Sequence, residues 1–79
     1  MPSPQELVLF IVQSLADHPD RVGARWMESP DGDFVELTAD AQDRGKIIGK
    51  RGRTIQSLRQ LVTAVFGTEG RRIGVELKE

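Results

Sequence analysis

The sequence predicts an α+β fold: a three-stranded sheet covered on one face by helices, in the order α-β-β-α-α-β. Three observations carry that reading. Apolar residues recur at helical spacing in two long stretches, and they alternate with polar ones in short stretches. A basic glycine turn, Gly45-Lys46-Ile47-Ile48-Gly49-Lys50-Arg51-Gly52-Arg53-Thr54-Ile55, separates two helical segments. At 79 residues the chain makes one domain, 1–79, burying about 60 to 65% of its unfolded surface.

The first helix is expected over roughly 4–17. Ser3 is its N-cap, Pro4 its first residue, and Glu6 completes a capping box. Leu7, Phe10, Ile11 and Leu15 recur at helical spacing, Val8, Leu9 and Val12 widen the apolar face, and Pro19 bars continuation beyond His18. Burial is the preferred explanation of that wide face over a subunit contact. Residues 22–29 and 34–39 read as strands of a hairpin, joined by Pro30-Asp31-Gly32-Asp33. Val35 and Leu37 should face inward, with Phe34, Glu36 and Thr38 outward. Trp26 should pack against the sheet edge or first helix rather than stack on a base, because Glu28 and Glu36 beside it would repel phosphate.

Asp40 and Asp43 are expected to cap a short second helix running through Ile47 and Ile48 to the turn. In the third helix, Ile55, Leu58, Val62 and Val65 form the apolar stripe, and Gly67 closes it as a C′ residue. Ile73, Val75 and Leu77 alternate with Gly74, Glu76 and Lys78, giving a third strand over 72–78. Nothing in this pattern orders the three strands in the sheet.

The net charge of −1 conceals an asymmetry. Residues 1–43 carry −7, residues 44–53 carry +5 with no acid, and residues 54–79 carry +1. The positive charge is focused on the glycine turn, which suits a local anion site better than indiscriminate coating of DNA. With no cysteine there is no disulfide framework or thiolate site, and a reducing cytoplasm is the simpler home. The longest apolar run, Leu7 to Val12, falls far short of the roughly 20 residues that span a bilayer, and no basic stretch precedes it, so a soluble, unprocessed protein without a membrane partner is expected. One histidine, His18, cannot build a metal cluster, and it reads as an exposed helix-end residue.

Two phosphate-binding loops can be set aside. A Walker loop needs four residues between its first glycine and Gly-Lys-Ser/Thr, whereas three separate Gly45 from Gly49, and Arg51 stands where the hydroxyl should be. A dinucleotide fingerprint needs a glycine where Ile47 stands, and a strand rather than a helix before it. No catalytic constellation is present in the sequence, so no enzyme is expected, and no cofactor or metal is called for.

The residues Ile47-Ile48-Gly49-Lys50-Arg51-Gly52, followed by Arg53-Thr54-Ile55 and set between two helices in this element order, resemble the KH domain in its bacterial type II arrangement. The likeness covers nearly the whole chain and is strongest to small stand-alone bacterial KH proteins of the KhpA type. It implies a turn that clamps about four nucleotides of single-stranded RNA, in a global RNA chaperone or post-transcriptional regulator. It also implies association, as a homodimer or as a heterodimer with a larger KH-containing protein. Arg44, where an aliphatic residue is common, and the neutral Gln56-Ser57 depart from the pattern.

On this reading the amides from Gly49 to Gly52 receive a phosphate at the positive end of the third helix, and Lys50 and Arg51 neutralise its neighbours. Ile48 and Ile55 offer an apolar floor, Arg53 contacts backbone and Arg59 a base edge, with core packing as the plainer role for Ile48 and Ile55 and a solvated helix face for Arg59. With no aromatic residue near the turn, binding per domain should be weak and sequence-tolerant, and pairing of domains would raise avidity. The alternative is a protein-interaction or dimerisation module without intrinsic RNA affinity, using the apolar face of the first helix.

Overall fold

In the computed structural model, which describes residues 3–67 and 72–78, the capping box at Ser3 is formed. The Ser3 hydroxyl accepts from the Glu6 amide at 3.2 Å, opening α1 (Pro4–Leu15). This helix stops two residues short of the expected boundary for a specific reason. The amides of Asp17 and His18 leave the helical ladder and donate to the carboxylate of Asp43, each at 2.9 Å.

After a 3-10 turn at Pro19–Arg21, β1 (Gly23–Met27) and β2 (Phe34–Thr38) pair antiparallel, with Trp26 opposite Val35 and Arg25 opposite Glu36. Their hairpin closes where the Gly32 amide donates to the Ser29 carbonyl at 3.1 Å, with Pro30 just inside the turn. The chain then passes through α2 (Arg44–Ile48) and α3 (Arg53–Phe66) to β3 (Gly74–Leu77), which lies parallel to β2 with Val75 opposite Val35. The strand order is β1-β2-β3. A parallel pair needs a long crossover, and the two helices with their glycine turn are that crossover. Glu69, Arg71 and Glu79, counted among the charges above, lie outside the described residues.

Helices cover one face of the sheet. Val35, Leu37 and Val75 point into a core completed by Val8 and Val12 of α1, Ile47 of α2, and Ile55, Leu58 and Val62 of α3. Burying each such side chain contributes about 1.5–3 kcal/mol, so α1 and α3 are held by packing rather than by helix propensity. Trp26 is half-buried against this core, as expected.

Four further expectations about helix packing and capping need correction. The core stripe of α1 is Val8 and Val12, while Phe10 is 70% exposed and Leu15 also reaches solvent. Six consecutive apolar residues, Leu7 to Val12, left the periodicity unable to tell which face turns inward. On α3, Val65 is exposed, and Phe66 packs against the core in its place. Gly67 does end α3, its amide donating to the Thr63 carbonyl at 2.8 Å, but its backbone is extended rather than left-handed. Asp43 does not cap α2; its side chain is turned inward, and only Asp40 acts as a cap, accepting from the Gln42 amide at 2.9 Å.

Candidate nucleic-acid interface

The turn between α2 and α3 is shaped by backbone angles that few residues adopt. Gly49 sits at φ 78° and ψ 171°, a region reserved in practice for glycine, and Gly52 is left-handed at φ 72°. Between them Arg51, at φ 56° and ψ 26°, is the one non-glycine residue with positive φ among the described residues. Left-handed geometry costs an ordinary side chain on the order of 1–2 kcal/mol, and such outliers gather at functional sites.

The Gly49 amide donates to the Gly45 carbonyl at 2.8 Å, the Gly52 amide to the Gly49 carbonyl at 3.1 Å, and the Arg53 amide to the Lys50 carbonyl. The amides of Lys50 and Arg51 lie in the same single turn of 3-10 helix, Lys50–Gly52. They stand at the start of α3, whose first turn carries no acid and whose cap residue, Gly52, has no side chain to occupy the helix end. The positive pole of a 14-residue helix is therefore left without a neutralising acid or a side-chain cap.

The cations around the turn fall into two groups. Lys46 Nζ lies 2.7 Å from Asp17 Oδ2, and Arg44 Nη1 donates to the Lys78 carbonyl at 2.6 Å, which explains how an arginine is tolerated at that helical position. Lys50, Arg51 and Arg53 are exposed, and no ion pair or hydrogen bond engages their side chains among the described residues. Thr54 is half-buried against Gly49. Ile48 is 36% exposed beside the turn, whereas Ile55 is buried in the core, so only Ile48 is free to meet a base.

Arg59 sits two turns farther along α3, roughly 10 Å from Gly52 at 1.5 Å per residue. Its Nε donates to the Val75 carbonyl at 2.9 Å, and one turn on, the Thr63 hydroxyl meets the amide and carbonyl of Ile73 at 3.3 and 3.4 Å. These contacts cover the outer edge of β3, where backbone groups would otherwise stand unpaired. A shallow groove between α3 and β3 is lined by Arg59, Gln60, Thr63 and Arg72. The sequence reading did not nominate Arg72; its only signal was a cation at the start of a strand. A larger cleft of about 930 Å³ lies at the far end of α3, between Trp26, Phe66 and the hairpin, with Asp31, Asp33 and Arg72 in its lining.

Among the described residues, no three His, Cys, Asp or Glu side chains gather at metal-binding spacing, and no helix is long and apolar enough to cross a membrane. A sequence model of the family described as KhpA/KhpB, KH domain matches residues 5–77. The chain belongs to that family. Within it, the chain is similar to the RNA-binding protein KhpA of Leifsonia xyli, 40% identical over 67 residues that cover 85% of this chain and 86% of the relative. RNA-binding protein KhpA of Borreliella burgdorferi is 39% identical over 91% of this chain and 88% of its own length. The Listeria monocytogenes protein of the same name is 36% identical over 95% of this chain and 99% of its own length. The α+β architecture with its mixed three-stranded sheet is thus a KH domain of the KhpA/KhpB kind.

Proposed function

We propose that this protein binds single-stranded RNA through the Gly49–Gly52 turn, in the cytoplasm, as an RNA chaperone or post-transcriptional regulator rather than an enzyme, the chain working as one KH domain. The observation that carries the reading is the glycine turn at the start of α3, where the helix end has neither an acid nor a side-chain cap and three exposed cations, Lys50, Arg51 and Arg53, surround it. A backbone phosphate is received by the amides around Gly49 to Gly52, and Lys50, Arg51 and Arg53 neutralise it and its neighbours. Ile48 supports a base, Gly49, Gly52 and Thr54 keep the turn's shape, and Ile55 acts from the core beneath. Arg59 and Arg72 extend the cationic track along the groove, although the bond from Arg59 Nε to β3 leaves only its terminal nitrogens for a ligand. The names of the relatives, RNA-binding protein KhpA, support this reading.

The double substitution Lys50→Asp with Arg51→Asp should abolish binding of a short single-stranded RNA in fluorescence anisotropy while thermal unfolding stays nearly unchanged. Undiminished affinity in that variant would sink the assignment. A second reading is favoured by the exposed Phe10, Leu15, Leu61 and Val65 on α1 and α3: domains pair through this apolar surface, with a second copy or with a larger KH-containing protein. Sedimentation of the RNA-free protein checks it, and a strictly monomeric species at high concentration speaks against self-pairing.

A further inference from the structure

Asp43 is the one charged side chain fully buried among the described residues, and the RNA-binding reading gives it no role. A buried carboxylate costs several kcal/mol unless its oxygens are hydrogen-bonded. Here both are. Oδ1 accepts from the Asp17 amide at 2.9 Å, and Oδ2 accepts from the His18 amide at 2.9 Å with His18 Nδ1 at 3.4 Å. His18 is therefore a half-buried partner of Asp43, not the exposed helix-end residue that the sequence suggested. Across the same joint Lys46 Nζ reaches back to Asp17 Oδ2 at 2.7 Å.

The joint matters because of what α2 is. Five residues are far fewer than the 12 or so that a helix needs to persist alone, and only Ile47 of the five is buried. Its placement depends on tertiary contacts at its start. Asp43 stands immediately before α2 and Gly49 immediately after it, so a helix about 7.5 Å long separates the buried carboxylate from the turn.

We propose that Asp43 is a positioning residue for the turn: its carboxylate fastens the start of α2 to the corner between α1 and β1 and so fixes where the Lys50 and Arg51 amides stand. This rests on the reading that the turn grips RNA. An amide side chain cannot substitute, because an asparagine nitrogen would face a backbone N–H and leave one donor unpaired.

The test is Asp43→Asn, read by the amide resonances and relaxation dispersion of Gly49 to Gly52, and by RNA anisotropy well below its unfolding temperature. The expected result is a folded protein with exchange broadening at the turn. If the competent turn geometry then persists about a tenth of the time, affinity falls about tenfold. A folded variant with unmoved turn resonances and undiminished affinity, lowered only in Tm, overturns the proposal. Should Asp43→Asn fail to fold, Asp43→Glu decides: it keeps the charge but moves both carboxylate oxygens one methylene away from the Asp17 and His18 amides that they accept from. Perturbed turn resonances support the proposal, and unperturbed ones overturn it. The RNA reading is judged separately, since wild-type affinity in Lys50→Asp with Arg51→Asp defeats it whatever the Asp43 spectra show.

Discussion

A Cβ placed on Gly49 would collide with the Thr54 hydroxyl and lie 2.8 Å from the Thr54 Cβ and 2.9 Å from its amide nitrogen. The first turn of α3 is folded directly over the bare backbone of Gly49, and the steric problem adds to backbone angles that a side chain resists. Gly52 differs: it is left-handed, but nothing lies within 4 Å of where its Cβ would stand.

Gly49→Ala should therefore destabilise more than Gly52→Ala. Strain of this kind costs on the order of 1–3 kcal/mol at a glycine-only position, with displacement of Thr54 added at Gly49, against about 1–2 kcal/mol for a plain left-handed site. Urea denaturation of both variants checks the order, and Gly52→Asn, which tolerates left-handed angles, should recover part of the loss. Equal losses at the two glycines would contradict the packing of Thr54.

How much of this was legible without coordinates depends on the range of each signal. The element order, the capping box at Ser3 and Glu6, and the inward pair Val35 and Leu37 rest on spacings within one element, and each is found. The spacing of Gly49 and Gly52 identified the turn, but not its hydrogen bonds, which run from the Gly49 amide back to Gly45 and from the Gly52 amide to Gly49. Asp43 read as a helix cap because short-range rules see an acid before a helix; its partners Asp17 and His18 are brought near only by the fold. The edge contacts of Arg59 and Thr63 were invisible for the same reason, since they required knowing that β3 lies at the sheet's edge against α3.

The three exposed cations Lys50, Arg51 and Arg53 set the salt dependence of RNA binding. With about 0.7 of a logarithmic unit per phosphate on a single strand, the slope of log affinity against log salt should be about −2. Arg53→Gln should reduce its magnitude by about 0.7. A titration from low to moderate salt measures both, and a slope near zero in the wild type would show that the cations do not meet phosphate.

Acid stability should depend on Asp43. The Asp17 amide first, then the His18 amide and ring, hold its carboxyl below the usual 3.8, against desolvation, which acts to raise it. Because the folded value is depressed, the stabilisation is fully present above the unfolded value near pH 4 and is lost as pH falls through the folded one. Tm measured from pH 6 downward should drop across that window, and Asp43→Asn should start lower and fall less steeply there. Parallel curves for the two proteins would mean that other carboxylates govern the acid limb.

Ile47 and Ile48 are neighbours with opposite expectations. Ile47 is fully buried and is the only core side chain α2 contributes, so Ile47→Ala leaves a cavity and should cost about 2–5 kcal/mol. Ile48 is 36% exposed beside the turn, and Ile48→Ala should change stability by well under that while weakening RNA binding if its side chain supports a base. The pair separates the two roles within one helix turn: a stability loss confined to Ile47 and an affinity loss, measured on fully folded protein, confined to Ile48. If Ile48→Ala leaves affinity unchanged, the bases find no floor there, and binding rests on phosphate contacts alone, which the salt slope would then account for by itself.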